Sequence, residues 1–284
     1  MSFRNLSKTF RYVNANGETL VFEYAYGYLI NKPKGIDTIQ VQLSQAQGID
    51  QVGGTVQSAT VQSRPVTISG LIVGENMEAR KAALVAIVRP DIPGKLYADD
   101  YYLDVHVTAT PTVEARTKCA NFQFAITAAY PYWQKDSKTA YSLSGVEPLF
   151  KFPWNISRTY QFGERIEDMF INVVNNGQLP VPFTVTFTAF DTVVNPKILD
   201  MKTGDFLLVR KTFEPGETVV VETTHGKTYV TSSVEGDIRG ALDLDSTLFR
   251  LAVGDNLLKT QAAVGPSYLD AKITFAPEIP GVTV

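Results

Sequence analysis

Apolar and polar residues alternate with a period of two through most of this chain. The clearest run is Phe183-Thr184-Val185-Thr186-Phe187-Thr188-Ala189-Phe190. Successive side chains of an extended strand point to opposite faces of a sheet, so such a run buries one face and leaves the other wet. From Tyr102 to Thr110, Leu103, Val105, Val107 and Ala109 alternate with Asp104, His106, Thr108 and Thr110. Phe122, Phe124 and Ile126 repeat the pattern between Asn121 and Ala129, and Thr19–Tyr24 and Arg64–Val73 also read as strands. The one clear helical spacing lies in Glu75–Val88, where Ala79, Ala83, Leu84, Ile87 and Val88 share a face. Arg89-Pro90 ends it, because a residue before proline is biased away from helical angles. A second short helix, or a turn, is expected near Asp245–Leu251. The fold class is therefore mainly β with one α-helix.

The second half is punctuated by Asn175-Asn176-Gly177, Thr203-Gly204-Asp205, Pro215-Gly216-Glu217 and His225-Gly226. Gly, Asn and Asp tolerate positive φ and Pro presets φ, so these are turn signals. Val219–Glu222 and Thr228–Thr231 flank His225-Gly226 and predict a β-hairpin. Short strands at this spacing predict a jelly-roll-type sandwich. Between the halves, residues 135–165 alternate poorly and contain Pro148 and Pro153. They are expected to link an N-terminal domain, 1–134, to a C-terminal domain, 166–284. Charge differs on the two sides: residues 1–134 carry 12 basic and 11 acidic side chains, residues 135–284 carry 14 and 18.

With 284 residues, 44% hydrophobic and 19% charged, the chain can bury a core without staples, and disorder is excluded. A net charge of -3 argues against a strongly basic nucleic-acid binder. Cys119 is the only cysteine, so no intrachain disulfide can form. No stretch has the roughly 20 apolar residues that span a bilayer. Met1-Ser2-Phe3-Arg4-Asn5 does not read as a signal peptide, so export by the general secretory route is not expected.

Candidate catalytic groups are sparse. His106 shares a strand face with Asp104, the pairing that orients a general base, but no nucleophile accompanies it. His225 stands at an expected hairpin tip. Asp99-Asp100 and Glu167-Asp168 are adjacent pairs, and neighbours on a strand point apart rather than across a sugar cleft. Asp99-Asp100 fits a turn better. Asp243 and Asp245 lack the rest of a calcium loop, and one cysteine with two distant histidines cannot build a zinc site. An enzyme is not expected, nor a metal or cofactor.

Two segments stand out. Gln42–Gln57 is rich in glutamine and glycine and nearly uncharged, which fits a flexible loop, a long hairpin, or a hairpin ordered by a neighbouring subunit. Tyr130-Pro131-Tyr132-Trp133 departs from the rule that aromatics fall on apolar parities. It fits a packed corner, a domain contact or a sugar-stacking platform.

The chain resembles the distal tail protein (Dit-like) family of long-tailed bacteriophages, siphovirus tail components. In the first half the resemblance rests on Arg64–Gly70, the helix Glu75–Val88, Gly94–Tyr102, and Phe122-Gln123-Phe124 running into Tyr130–Trp133. In the second it rests on Asn175–Gly177, Asn195–Ile198, Thr203-Gly204, Pro215–Glu217, Gly254–Asn256 and Pro280–Val282. It implies an N-terminal split β-barrel or sandwich with one helix and a C-terminal galectin-like β-sandwich. It implies a virion structural protein made in the host cytoplasm. Six copies would form a baseplate hub at the tail tip, between the tail-tube protein and the tip and receptor-binding proteins. DNA would pass through the lumen without specific binding, and a near-neutral first half suits that role. Alternatives are a tail-tube-like protein or a module binding cell-wall sugars, for which Phe206–Val221 offers Phe213. A closed ring repeats one heterologous contact. The residues expected in it are Gln42, Gln45, Gln47, Gly48, Asp50, Gln51, Gly53 and Gly54, with Arg64 on the neighbouring sheet edge.

Overall fold

The computed structural model describes residues 8–143, 146–147, 164–165, 170–224 and 228–284. The chain divides into two compact units, residues 1–136 with 278–284, and residues 137–277.

The first unit contains β1 (Phe10–Asn14), β2 (Thr19–Val21), β3 (Tyr28–Ile30), β4 (Val41–Ala46), β5 (Thr55–Val61), β6 (Arg64–Val73), α1 (Met77–Ile87), β7 (Gly94–Ala98), β8 (Tyr101–Ala115), β9 (Cys119–Ala128) and β10 (Trp133–Lys135). Its main sheet runs β2-β1-β7-β8-β9-β6-β3 and curls into a nearly closed barrel. β10 pairs with β8 and with the terminal strand Glu278–Ile279. The long β6–β9 ladder runs in register from Arg64↔Ala128 to Val73↔Cys119. Val66, Ile68, Phe122, Phe124 and Ile126 are buried inside it with Phe10, Tyr12, Leu96 and Trp133. Leu84 is the helix residue buried in that core, so α1 packs through one narrow stripe. Each such side chain stabilises the fold by about 1.5–3 kcal/mol on burial.

The second unit has two principal sheets. One has the order 139–142, 269–275, 184–189, 218–222, 229–232, 236–237, and the other the order 170–175, 254–261, 197–200, 206–208. Val185, Phe187 and Ala189 are fully buried, and the threonines between them are not, as the alternation predicts. Val219, Val221, Val230, Leu258 and Ile273 fill the same core, so this is a β-sandwich. The expected hairpin forms with Val221 opposite Val230, and its turn, including His225, lies outside the described residues. Near Asp245 the structure has a turn in place of a helix. The Asp243 carboxylate accepts from Asp245 N (2.8 Å) and Ser246 N bonds the Asp243 carbonyl, which closes the chain before a helix can start. Within 135–165, Thr139–Ser142 pairs with Leu269–Phe275 as part of the sandwich, and most of the rest lies outside the described residues.

Candidate assembly surface

β4 and β5 form a two-stranded sheet of their own, and every residue from Val41 to Val61 is exposed. A lone hairpin is marginal in water, so its root and tip must hold it. At the tip, Gly48 N donates to Gln51 Oε1 (2.9 Å), Gln47 Nε2 donates to Gln51 O (3.1 Å), and Gln51 Nε2 donates to Thr55 Oγ1 (3.2 Å). Asp50 and Gly53 take positive φ to turn the chain. Gln47 and Gln51 thus spend hydrogen bonds on shaping the tip, and Ile49 and Val52 stand fully in solvent.

The faces of the hairpin differ. Val41 pairs with Val61 and Leu43 with Ala59, while Gln42 pairs with Thr60 and Ser44 with Ser58. Directly opposed residues share a face, so one face is apolar and the other is amide and hydroxyl. The register then slips past Gln57 and sets Val56 opposite Gln45. This bulge brings a third valine to the apolar face. The sequence reading singled out the glutamines and missed Val41, Leu43, Val56 and Val61. The Val41-x-Leu43 and Ala59-x-Val61 alternations carried the signal for three of them, and only the bulge reveals Val56.

Arg64 lies elsewhere than expected. It is 2% exposed, so its side chain is turned into the unit and is not presented to a neighbour. Its Nε donates to Pro131 O (2.6 Å), Nη1 to Gly35 O (3.0 Å) and Ile36 O (2.7 Å), and Nη2 to Pro280 O. A buried guanidinium is tolerated because its donors meet carbonyls. Burial pulls its pKa below the ordinary arginine value, opposed by the Asp37 carboxylate. Arg64 shares strand parity with the buried Val66 and Ile68, which is the signal for its burial in the sequence. Gly35 and Ile36 precede β4 and Arg64 follows β5, so Arg64 clamps both ends of the hairpin's root. Ile36 O also accepts from Trp133 Nε1 (3.0 Å) and Val282 N (3.1 Å). Gly35 is required here: its φ is +89°, and a Cβ would strike the Pro65 carbonyl.

The other candidates disperse. Asp104 faces Lys95 Nζ at 3.9 Å, and both it and His106 are exposed on β8. Asp99 and Asp100 form the β7–β8 turn, with Asp99 accepting from Lys8 Nζ and Thr9 N at 3.0 Å. Burial raises the Asp99 pKa, but those donors outweigh it and hold it below the usual value. Asp243 is buried and takes Arg210, while Glu167 and Asp168 lie outside the described residues. Cys119 is a half-buried free thiol. Among the described residues, no three His, Cys, Asp or Glu side chains converge. Phe213 is fully buried and cannot stack on a sugar. Tyr130–Trp133 forms a packed corner: Trp133 is fully buried, Tyr130 and Tyr132 meet edge to face at 5.3 Å, and Tyr130 Oη donates to Glu278 Oε2 (2.6 Å).

Residues 176–277 match the family described as siphovirus-type tail component, C-terminal domain. The crystal structure of the SPP1 Dit protein, described as a paradigm of the hub adsorption apparatus in phages infecting Gram-positive hosts, superposes with a TM-score of 0.68. It is 14% identical, over 95% of this chain and 98% of that one. The phage p2 baseplate in its activated conformation with Ca aligns at 0.49, with 10% identity over 98% and 100% of the chains. Its counterpart with Sr aligns at 0.47, with 11% identity over 97% and 99%. No curated protein sequence matches. The likeness to SPP1 Dit extends over the barrel and the sandwich alike, and the family match falls within the sandwich. Residues 176–277 thus carry the sequence likeness to the siphovirus-type tail components, and the chain over 95% of its length shares the fold of SPP1 Dit.

Proposed function

We propose that this tail component is the hub of a siphophage tail tip. Six copies form a ring that joins the tail tube to the tip and adsorption proteins, and its lumen passes DNA without binding it. The observation that carries this reading is the β4–β5 hairpin, rooted by Arg64 yet exposed along its whole length. Its edge strands carry no Pro and no Lys, the devices that ordinarily blunt an exposed edge. The free edge of β8 beyond β7 differs, since it carries Pro111 and two register irregularities against β9. An unguarded edge beside a guarded one suits a strand kept for another chain. Gln42, Gln45, Gln47, Gly48, Asp50, Gln51, Gly53 and Gly54 lie on the hairpin that makes this contact, and the hub resides in the virion.

Mass photometry with negative-stain imaging of the purified protein tests the reading. Six-fold rings with a central hole are expected. Open-ended tubes would favour a tail-tube protein instead. Deleting Gly48–Gly54 should leave folded monomers, and rings of unchanged size after that deletion would overturn the role of the hairpin.

A further inference from the structure

Among the described residues of the first unit, the exposed large hydrophobic side chains form a short set: six in the hairpin, and Tyr24, Tyr26 and Val85 elsewhere. Val41, Leu43, Val56 and Val61 are 41–52% exposed and share the apolar face of the hairpin. Tyr24 (74% exposed) and Tyr26 (56%) are the first and last residues of a 3-10 turn, and Val85 (50%) is on the outer side of α1. The turn and the helix border each other, because Tyr28 Oη donates to Arg80 O (2.9 Å) and Gly27 lies against the Arg80 guanidinium.

We propose that the hairpin of one copy lays its apolar face, Val41, Leu43, Val56 and Val61, over Tyr24, Tyr26 and Val85 of a second copy. The inference rests on the ring reading above and names its contact. Three observations favour another copy of this chain as occupant. First, the hairpin is a two-stranded sheet of its own whose apolar face, from Val41 to Val61, is open to solvent and available to a neighbour. Second, Asp50 is the one ionisable side chain between Val41 and Val61, and depletion of charge marks the buried centre of an interface. Third, donor and acceptor patches are different surfaces of the same unit, which is what a ring repeating one heterologous contact requires. The opposite face, with Gln42 and Ser44, is left outside this contact.

Cross-linking separates the faces. In a full-length Cys119→Ser background, Leu43→Cys is combined with Tyr24→Cys, and a control combines Ser44→Cys with Tyr24→Cys. Ser44 lies on the opposite face of the same strand. Under mild oxidation the first pair should lose its monomer band to a ladder of linked copies, and the control should stay monomeric. Equal ladders in both, or none in the first, would overturn the proposal. Unmodified protein imaged in parallel keeps the two readings apart: rings without a Leu43–Tyr24 ladder would leave the hub standing and remove this contact. A mixture supplies a second readout. Leu43→Gln/Val56→Gln disables the donor, and Tyr24→Ser/Tyr26→Ser disables the acceptor. Each alone should be monomeric, and mixed they should give a one-to-one pair that stops at two copies. A mixture that stays monomeric would overturn the assignment.

Discussion

Arg64 hydrogen-bonds the carbonyl of Pro280, 216 positions further along the chain. The same guanidinium holds Gly35 and Ile36, so one side chain ties the root of the hairpin to the terminal segment. Lysine carries the charge but not the planar fork, and cannot serve four carbonyls in these directions. Hydrogen bonds from charged groups are worth about 1.5–3 kcal/mol each. Arg64→Lys should therefore cost about 2–4 kcal/mol, since part of the network rearranges. A fall of roughly 5–15 °C in Tm is expected for a unit of this size. Calorimetry checks it, and an unchanged transition would show that Arg64 is replaceable.

Glu217 is a buried carboxylate of the sandwich, reached by Lys211 Nζ at 3.1 Å, Ser232 Oγ, and Glu214 N at 3.1 Å. Lys211 also meets Glu235 at 2.6 Å. Burial alone would raise the Glu217 pKa, but the Ser232, Glu214 and Lys211 donors outweigh it and hold it below 4.5. A depressed folded-state pKa gives stability that is present above the unfolded value and is lost as pH falls through the folded one. Denaturation midpoints should hold near neutrality and drop below about pH 4.5. Glu217→Gln should flatten that acid limb and cost about 1.5–3 kcal/mol at pH 7, because Lys211 keeps Glu235 but loses a charged hydrogen-bond partner. An acid limb as steep in Glu217→Gln as in the parent would assign it to other carboxylates.

Tyr102 lies in a row that crosses four strands, Arg11–Tyr97–Tyr102–Gln134. The Arg11 guanidinium lies 4.0 Å over Tyr97, Lys95 lies 4.0 Å over Tyr102, and Tyr102 Oη donates to Gln134 Oε1 at 2.8 Å. Burial, then Asp104, pushes the phenol up to about 12 from 10.0. The raised value favours the neutral phenol in the folded state, so its stabilisation is complete below pH 10 and is lost as pH rises towards 12. Absorbance titration at alkaline pH should show a late tyrosine step, shared with Tyr12, Tyr28 and Tyr97, which burial also raises, and Tyr102→Phe should lower its amplitude by one tyrosine. The same substitution keeps the ring under Lys95 and should cost about 1 kcal/mol.

Much of this architecture is legible in local pattern. Thr184–Ala189, Arg64–Val73 and the single helix follow from residues within one element, whose period declares their faces. What escapes is set by distant parts of the chain. Arg64 looks like a surface charge until Gly35, Pro131 and Pro280 gather round it, although its parity with Val66 hinted at burial. Glu217 was read as part of a turn, and the turn is there, with Gly216 at φ +85°. Its burial depends on Lys211 and Ser232, which no local window contains. The bulge that turns Val56 over was also unreadable, because skipping Gln57 is a property of the pairing and not of either strand.

The non-local pairing also predicts how the first unit can be isolated. Gln134 stands opposite Glu278, so the strands that leave and re-enter this unit are neighbours. Residues 137–277 are then an insertion whose ends a loop of about four residues can bridge. A variant with that replacement keeps Pro280 on Arg64 and Val282 in the core, and should melt cooperatively with its barrel intact. Residues 1–136 alone lose both partners. Burial of Val282 is worth about 1.5–3 kcal/mol, and the Pro280 bond adds about 1.5–3 kcal/mol, a large part of a marginal total. That fragment should show a transition at least about 10 °C lower, or none. Thermal scans of the two side by side decide it: equal midpoints would mean that the terminal segment decorates the barrel without completing it.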